Sequence, residues 1–305
     1  MRKKLLQQQI IQQLTSRYRK YYMNTTRNVR QIELFDVTLR DGLQSTPTLY
    51  SLSKKKELLD TIISKESPTK IEVGSLVSEK IVPQMKDSLE LYKYAVETYK
   101  NHQFFLLIPN MNSLENAISN DAAKNISIPS SVSSSFQYKN LHMTIDDTKK
   151  MIQKIPQYED VKYVKVYLSC VHRCPFEGDI PLSAILNEID YYAKIEHINE
   201  LCISDTMANL DSSVYMKIID HISQHHNTDK FSFHFHVEKH NRKNPKHKHL
   251  ALVLRHASRC NITKYDVSYL PNIGGCVTTL GRNKNGNITY QLLHDILNDF
   301  IYHVI

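Results

Sequence analysis

Short runs of β-branched and aromatic residues alternate along this chain with longer stretches in which apolar positions recur every three or four residues. The runs at 32–37 (IELFDV), 70–74, 103–108, 125–129, 162–168, 199–204, 231–236 and 263–268 predict strands. The stretches at 53–64, 84–100, 112–120, 144–155, 182–196, 212–225 and 247–258, with a last one at 288–303, predict helices. Strict strand–helix alternation means a parallel sheet, because parallel neighbours need a crossover between them. Eight such units within ~250 residues favour an α/β fold closed into a (β/α)8 barrel over an open doubly wound sheet. No GxGxxG pattern follows the first strand, which counts against a dinucleotide-binding sheet. No low-complexity linker splits the body, so residues 31–305 read as one domain behind an extension, 1–30.

The extension changes how the charge is read. The formal charge of +8 suggests nucleic acid until it is located. Residues 1–32 carry eight basic residues and no acid, leaving 31 basic against 31 acidic residues in the body. A neutral body has no basic groove for phosphate backbones, so no nucleic-acid partner is expected. The extension itself predicts an amphipathic helix with Leu5, Leu6, Ile10, Ile11 and Leu14 on one side. It is acid-poor and contains arginine, as transit peptides do, though it is rich in Gln rather than Ser. A transit peptide and a solvated helix in front of the domain both fit, so a mitochondrial or a cytoplasmic setting is expected. No apolar run approaches the ~20 residues of a membrane span, and no membrane association is expected. Five cysteines, an odd number, predict a reducing compartment without a disulfide framework.

Glycine is scarce, at seven residues, so those that remain should mark places where a side chain will not fit. All but Gly178 follow directly on a predicted strand or lie in the segment after the last one, where the chemistry of a barrel belongs. Arg40 and Asp41 follow strand one in DVTLRDGLQ, a cation beside an acid that can ligate a metal. Glu72 lies within strand two and Asp205 follows strand six. His234 and His236 end strand seven, two residues apart and therefore on one side of it. Nine of the fifteen histidines fall between 221 and 256, so chance alone could produce this His-x-His. With Asp41 and Asn287 available, however, the set becomes two imidazole nitrogens and two oxygens. Such mixed ligation with open positions suits Mg²⁺ or Mn²⁺ holding substrate oxygens. Cys276 follows two glycines on the last loop, a setting that exposes a thiol for use.

With these residues in place, the body resembles the 3-hydroxy-3-methylglutaryl-CoA lyase family of the DRE-TIM metallolyases, over about residues 31–300. RDGLQ (40–44) is close to that family's opening motif, and IEVGSLVSEKIVPQM (71–85) to its second-strand segment. Ile108-Pro109-Asn110, SSSFQYKN (133–140), SCVHRCPFEG (169–178) and ISDT (203–206) are similar to further segments. NIGGC (272–276) resembles the lyase's cysteine loop, and Gly286-Asn287 the segment with its ligating asparagine. The chain departs from the family after His236, where Val237 stands in place of an acid and a basic run, 241–249, follows. Ser134 also replaces an acid, Ser204 a glycine, and the 276–287 loop is longer than in the family.

The resemblance implies a TIM barrel and a metal held by Asp41, His234, His236 and Asn287. It implies catalytic roles for Arg40, Cys276, Glu72 and Asp205, and substrate contacts from Arg40, Gln44 and Asn140. The reaction it implies is metal-dependent cleavage of an acyl-CoA to acetoacetate and acetyl-CoA, with a homodimer as an open alternative to a monomer. Two rivals stay open: a related condensing enzyme or aldolase acting on a 2-oxo acid, and a barrel without turnover kept as a binding protein.

Overall fold

Each β-branched run becomes a strand whose alternate residues face the barrel interior and the surrounding helices. The computed structural model describes residues 32–238, 246–276 and 285–302. Its parallel strands are β1 (Glu33–Asp36), β2 (Lys70–Ser75), β3 (Gln103–Leu107), β4 (Asn125–Ser131), β5 (Tyr163–Ser169), β6 (Glu200–Asp205), β7 (Phe231–Glu238) and β8 (Lys264–Val267). Neighbours pair in that order, and β8 returns to β1 with Glu33 opposite Lys264 and Asp36 opposite Val267. The cylinder is therefore closed, the (β/α)8 barrel that the sequence pattern predicts.

The helices are α1 (Leu52–Lys65), α2 (Ser88–Thr98), α3 (Met111–Ser119), α4 (Ser134–Leu141), α5 (Ile145–Lys154), α6 (Leu182–Ala193), α7 (Ser212–His225), α8 (Lys246–Arg259) and α9 (Tyr290–Tyr302). All eight helices predicted in the body are present, seven with shifted ends and the one over 212–225 with the same bounds. The one expected from 84 begins at Ser88, because Pro83–Met85 winds as a separate 3-10 turn. One helix, α4, has no counterpart in the sequence reading. It is short and buries only Phe136 and Gln137, so it leaves little apolar periodicity to find. Its N-terminal Ser135 N–H donates to Glu177 Oε1 at 2.8 Å. Glu177 thus places an acid at the N-terminus where Ser134 offers none, complementing the helix dipole. The predicted helix of the extension, the basic residues 241–245 and the loop residues 277–284 lie outside the described residues. Among the described residues no helix is long and apolar enough to cross a membrane.

The apolar core lies between strands and helices, while the barrel interior is stacked in layers of different chemistry. At the bottom, Phe35 and Phe105 pack edge to face with Val37 and Tyr163. Above them Lys165, fully buried, reaches Asp266 Oδ1 at 2.5 Å and Glu200 Oε1 at 2.9 Å. Ser232 and Tyr163 also donate to Glu200, so each buried charge is both paired and hydrogen-bonded. Burial pushes the Glu200 carboxyl up, but Lys165, then Lys70, overcome it and hold it well below the usual range. A depressed folded-state acid adds stability above its unfolded pKa of about 4.3, which is lost as pH falls. The denaturant midpoint is accordingly expected to drop between pH 5 and pH 3, and to drop less in Glu200→Gln. Chemical denaturation at several pH values checks this.

Candidate metal centre

The site begins with the turn after β1. Thr38–Gly42 winds as a single wide π-type turn, with the Gly42 N–H donating to the Val37 carbonyl at 3.0 Å. Asp36 pins its start by accepting from Thr38 N and Thr38 Oγ1, both at 2.9 Å. Such turns re-aim side chains at functional sites, and this one buries both Arg40 and Asp41. Gly42 lets the turn pack closely on the last loop, since a Cβ there would come within 2.6 Å of the Ile273 side-chain tip and push it aside.

Asp41 uses its two oxygens differently. Oδ1 accepts from Arg40 Nη1 and Gln44 Nε2, both at 2.7 Å. Oδ2 accepts the Gly275 N–H at 2.8 Å and lies 3.5 Å from His236 Nε2 and 3.9 Å from His234 Nε2. The two Nε2 atoms are 3.3 Å apart, and the three groups are all buried. A short strand, Asn285–Asn287, runs antiparallel to the end of β7 and sets Asn287 opposite His236. Opposed residues of such a pair project to the same side. The Asn287 amide is buried, and neither its oxygen nor its nitrogen has a hydrogen-bond partner. An unpartnered buried amide beside convergent carboxylate and imidazoles is a cost that a ligated cation removes. The donor set thus fits a divalent metal of the Mg²⁺ or Mn²⁺ kind.

The far nitrogens of both rings are held. His234 Nδ1 meets Asp266 Oδ2 at 3.0 Å, and His236 Nδ1 meets the Asp205 carbonyl at 2.7 Å. These contacts orient Nε2 toward the centre, as outer partners of metal-binding histidines do. They also answer the departure at Val237, because neither orienting group comes from that position. Burial pushes the His234 imidazole down despite Asp266. For His236 burial also lowers, but the Asp41 carboxylate outweighs it and raises the ring. Asp41 is pushed up by burial, yet Arg40 foremost holds it well below the carboxylate range.

Arg40 is equally constrained. Its Nε donates to Glu72, which also accepts from Ser127 and from the Tyr167 hydroxyl. Its guanidinium lies 5.1 Å from the centre of the Tyr167 ring. A cavity of about 440 Å³ opens over the centre, lined by Arg40, Asp41, Gln44, Asn140, His234, His236 and Cys276 among others. The Cys276 thiol donates to Asn140 Oδ1 at 2.9 Å, joining the last loop to the end of α4.

Glu72 and Asp205 do not line this cavity. Glu72 fixes Arg40 from behind. Asp205 is pushed up to about 6 by burial, accepts from Met207 N and Asn209 N through Oδ1, and leaves Oδ2 without a partner. Sequence reasoning missed Asp266, Lys165, Ser127 and Tyr167. Asp266 and Lys165 carried a signal, as charged residues inside otherwise apolar strands; Ser127 and Tyr167 carried none.

Gly274 supplies a second test of this geometry. Its φ is +119°, and a Cβ there would fall 2.5 Å from the Asn287 amide. Gly274→Ala is expected to displace that amide and weaken metal binding at least ~10-fold, the scale on which disturbed outer contacts act. Titration calorimetry with Mn²⁺ measures it.

A closed (β/α)8 barrel with two imidazoles, a carboxylate and an unpartnered amide at the C-terminal ends of its strands defines a class. It is a barrel whose mouth gathers a carboxylate and two imidazoles that could hold a metal ion. Residues 31–241 match the family model described as HMGL-like, and the chain belongs to that family. It is 34% identical over 154 residues to the mitochondrial hydroxymethylglutaryl-CoA lyase of Macaca fascicularis, covering 50% of this chain and 46% of that protein. It is 27% identical over 222 residues to the 3-hydroxy-3-isohexenylglutaryl-CoA/hydroxymethylglutaryl-CoA lyase of Pseudomonas aeruginosa, covering 70% of each. Its matches therefore span less than half the length of the mammalian relative and about two thirds of the bacterial one. An HMG-CoA lyase from A. baumannii, solved with coenzyme A and 3-methylmalate, superposes with a TM-score of 0.77 at 23% identity, over 90% of this chain and 86% of that one.

Proposed function

We propose that this chain is a metal-dependent carbon–carbon lyase that cleaves 3-hydroxy-3-methylglutaryl-CoA, or a close analogue, to acetoacetate and acetyl-CoA. One observation carries the reading: Asp41, His234 and His236 converge beside the unpartnered Asn287 amide, under a cavity that also holds Arg40 and Cys276. Asp41, His234, His236 and Asn287 would hold the cation, Mg²⁺ or Mn²⁺, which supplies Lewis acidity toward substrate oxygens when bound. Arg40, fixed between Glu72 and Asp41, takes the negative charge that develops on the thioester oxygen. The 3-hydroxyl loses its proton as the bond between C2 and C3 breaks, and the electron pair of that bond becomes the thioester enolate. The Cys276 thiol gives its proton to C2 of the enolate, and the proton released from the hydroxyl restores it. Asn140 holds that thiol over the cavity. The relatives named for a mitochondrial or cytoplasmic setting support the same two settings for this chain.

The test is the product balance of purified protein with Mg²⁺ or Mn²⁺. Release of acetyl-CoA and acetoacetate in equal amounts supports the lyase. Consumption of acetyl-CoA with a 2-oxo acid would make it a condensing enzyme. Tight acyl-CoA binding without turnover would make it a binding protein.

A further inference from the structure

The histidine-rich stretch that yields His234 and His236 also contains histidines that the mouth of the barrel does not use. Two of them meet at the opposite end. Helices run antiparallel to the strands, so the C-terminal ends of α6 and α7 lie at the N-terminal face of the barrel. There His221 Nε2 is 2.7 Å and His226 Nε2 is 2.6 Å from the same atom, Asp190 Oδ1. His226 reaches this point because it follows the last residue of α7 in an extended conformation, φ −137° and ψ 162°, which turns it out of the helical path. Its ring centre lies 5.9 Å from that of Phe231, the first residue of β7. The side chains are 12–33% exposed, so the cluster is sheltered but open to water on one side.

We infer that Asp190, His221 and His226 form a second, structural metal site of the Zn²⁺ type, tying α6 to the segment that feeds β7. The ligand atoms lie within 4.8 Å of one another and comprise two imidazole nitrogens and one carboxylate oxygen. Imidazole selects zinc-like ions over Mg²⁺, and three protein ligands plus water complete a tetrahedron. Two imidazoles aimed at one point from a helix and its cap are the arrangement that such an ion needs. A bound ion would lock the connection leading into the strand that carries His234 and His236.

The test uses the full chain with His234→Ala, which weakens the mouth set, titrated with ZnCl₂ against a chromophoric chelator. One equivalent of zinc is expected to disappear when His226→Ala is added. The remaining affinity at this position should fall by more than the ~10–100-fold that losing a mere outer partner costs. Zinc should also raise the melting temperature of His234→Ala and fail to do so in the double variant. The milder His221→Gln, in the same background, serves if His226→Ala does not fold. Unchanged zinc stoichiometry and an unchanged thermal response in these variants would overturn the inference and leave an ordinary ion-paired cluster. Because the readout is zinc rather than turnover, the outcome is separate from that of the lyase reading.

Discussion

Arg40→Gln is expected to lower kcat by ~100–1000-fold while leaving KM nearly unchanged, the signature of an interaction made in the transition state. The guanidinium is held by Glu72 on one side and Asp41 on the other, with Tyr167 beneath it, so it cannot relax toward the substrate before charge develops. Its charge stabilisation is therefore preorganised, worth about 3–4 kcal/mol of barrier when removed. Gln keeps a hydrogen-bond donor near Glu72 but no charge, and the buried Glu72 carboxylate then lacks its cation. Some loss of stability will accompany the substitution, which is why the comparison is made per folded, metal-loaded molecule. Steady-state kinetics on the acyl-CoA substrate measure it, and a kcat within tenfold of the parent would remove Arg40 from the chemistry.

Lys165→Met should destabilise the fold by about 3–5 kcal/mol, because it leaves buried carboxylates without their shared partner. Both Glu200 and Asp266 lose the ammonium that now lies within 3 Å of each. Lys70, 3.5 Å from Glu200, compensates only the outer end of the pair. The melting temperature is expected to fall by roughly 6–20 °C, on the scale of 2–4 °C per kcal/mol for a domain of this size. The effect should reach the mouth as well. Asp266 holds Lys165 on Oδ1 and His234 on Oδ2, so a carboxylate that has lost the ammonium fixing one oxygen no longer orients that imidazole as firmly. Metal affinity should therefore weaken in Lys165→Met although residue 165 touches no proposed ligand. Calorimetric melting with a parallel Mn²⁺ titration checks both halves; unchanged metal affinity would uncouple the charged layer from the site.

The sequence made the barrel legible because its two periods are unmixed. The run FSFHFH alternates aromatic with polar residues and is buried on both faces, whereas the stretch 212–225 buries one helical face, so both element type and order could be read. The rim residues were legible for a related reason. Arg40, Asp41, His234 and His236 are polar groups placed where apolar strands end, and scarce glycines flank two of the loops concerned. What remained hidden is what only three dimensions create. Nothing in the local pattern says that Asp266 turns one oxygen to Lys165 and the other to His234. Nor does it say that Glu72 faces Arg40 rather than the cavity, since those choices depend on barrel register. The short helix α4 escaped for lack of an apolar stripe, although its last turn carries Asn140, which meets Cys276.

One cation is expected to gather Asp41, His234, His236 and Asn287. Anomalous diffraction from a crystal soaked in Mn²⁺ asks this directly. The expected result is a manganese peak within coordination distance of the Asp41 carboxylate, both Nε2 atoms and the Asn287 amide oxygen. A peak that leaves out Asp41, or manganese found only elsewhere on the molecule, would contradict it.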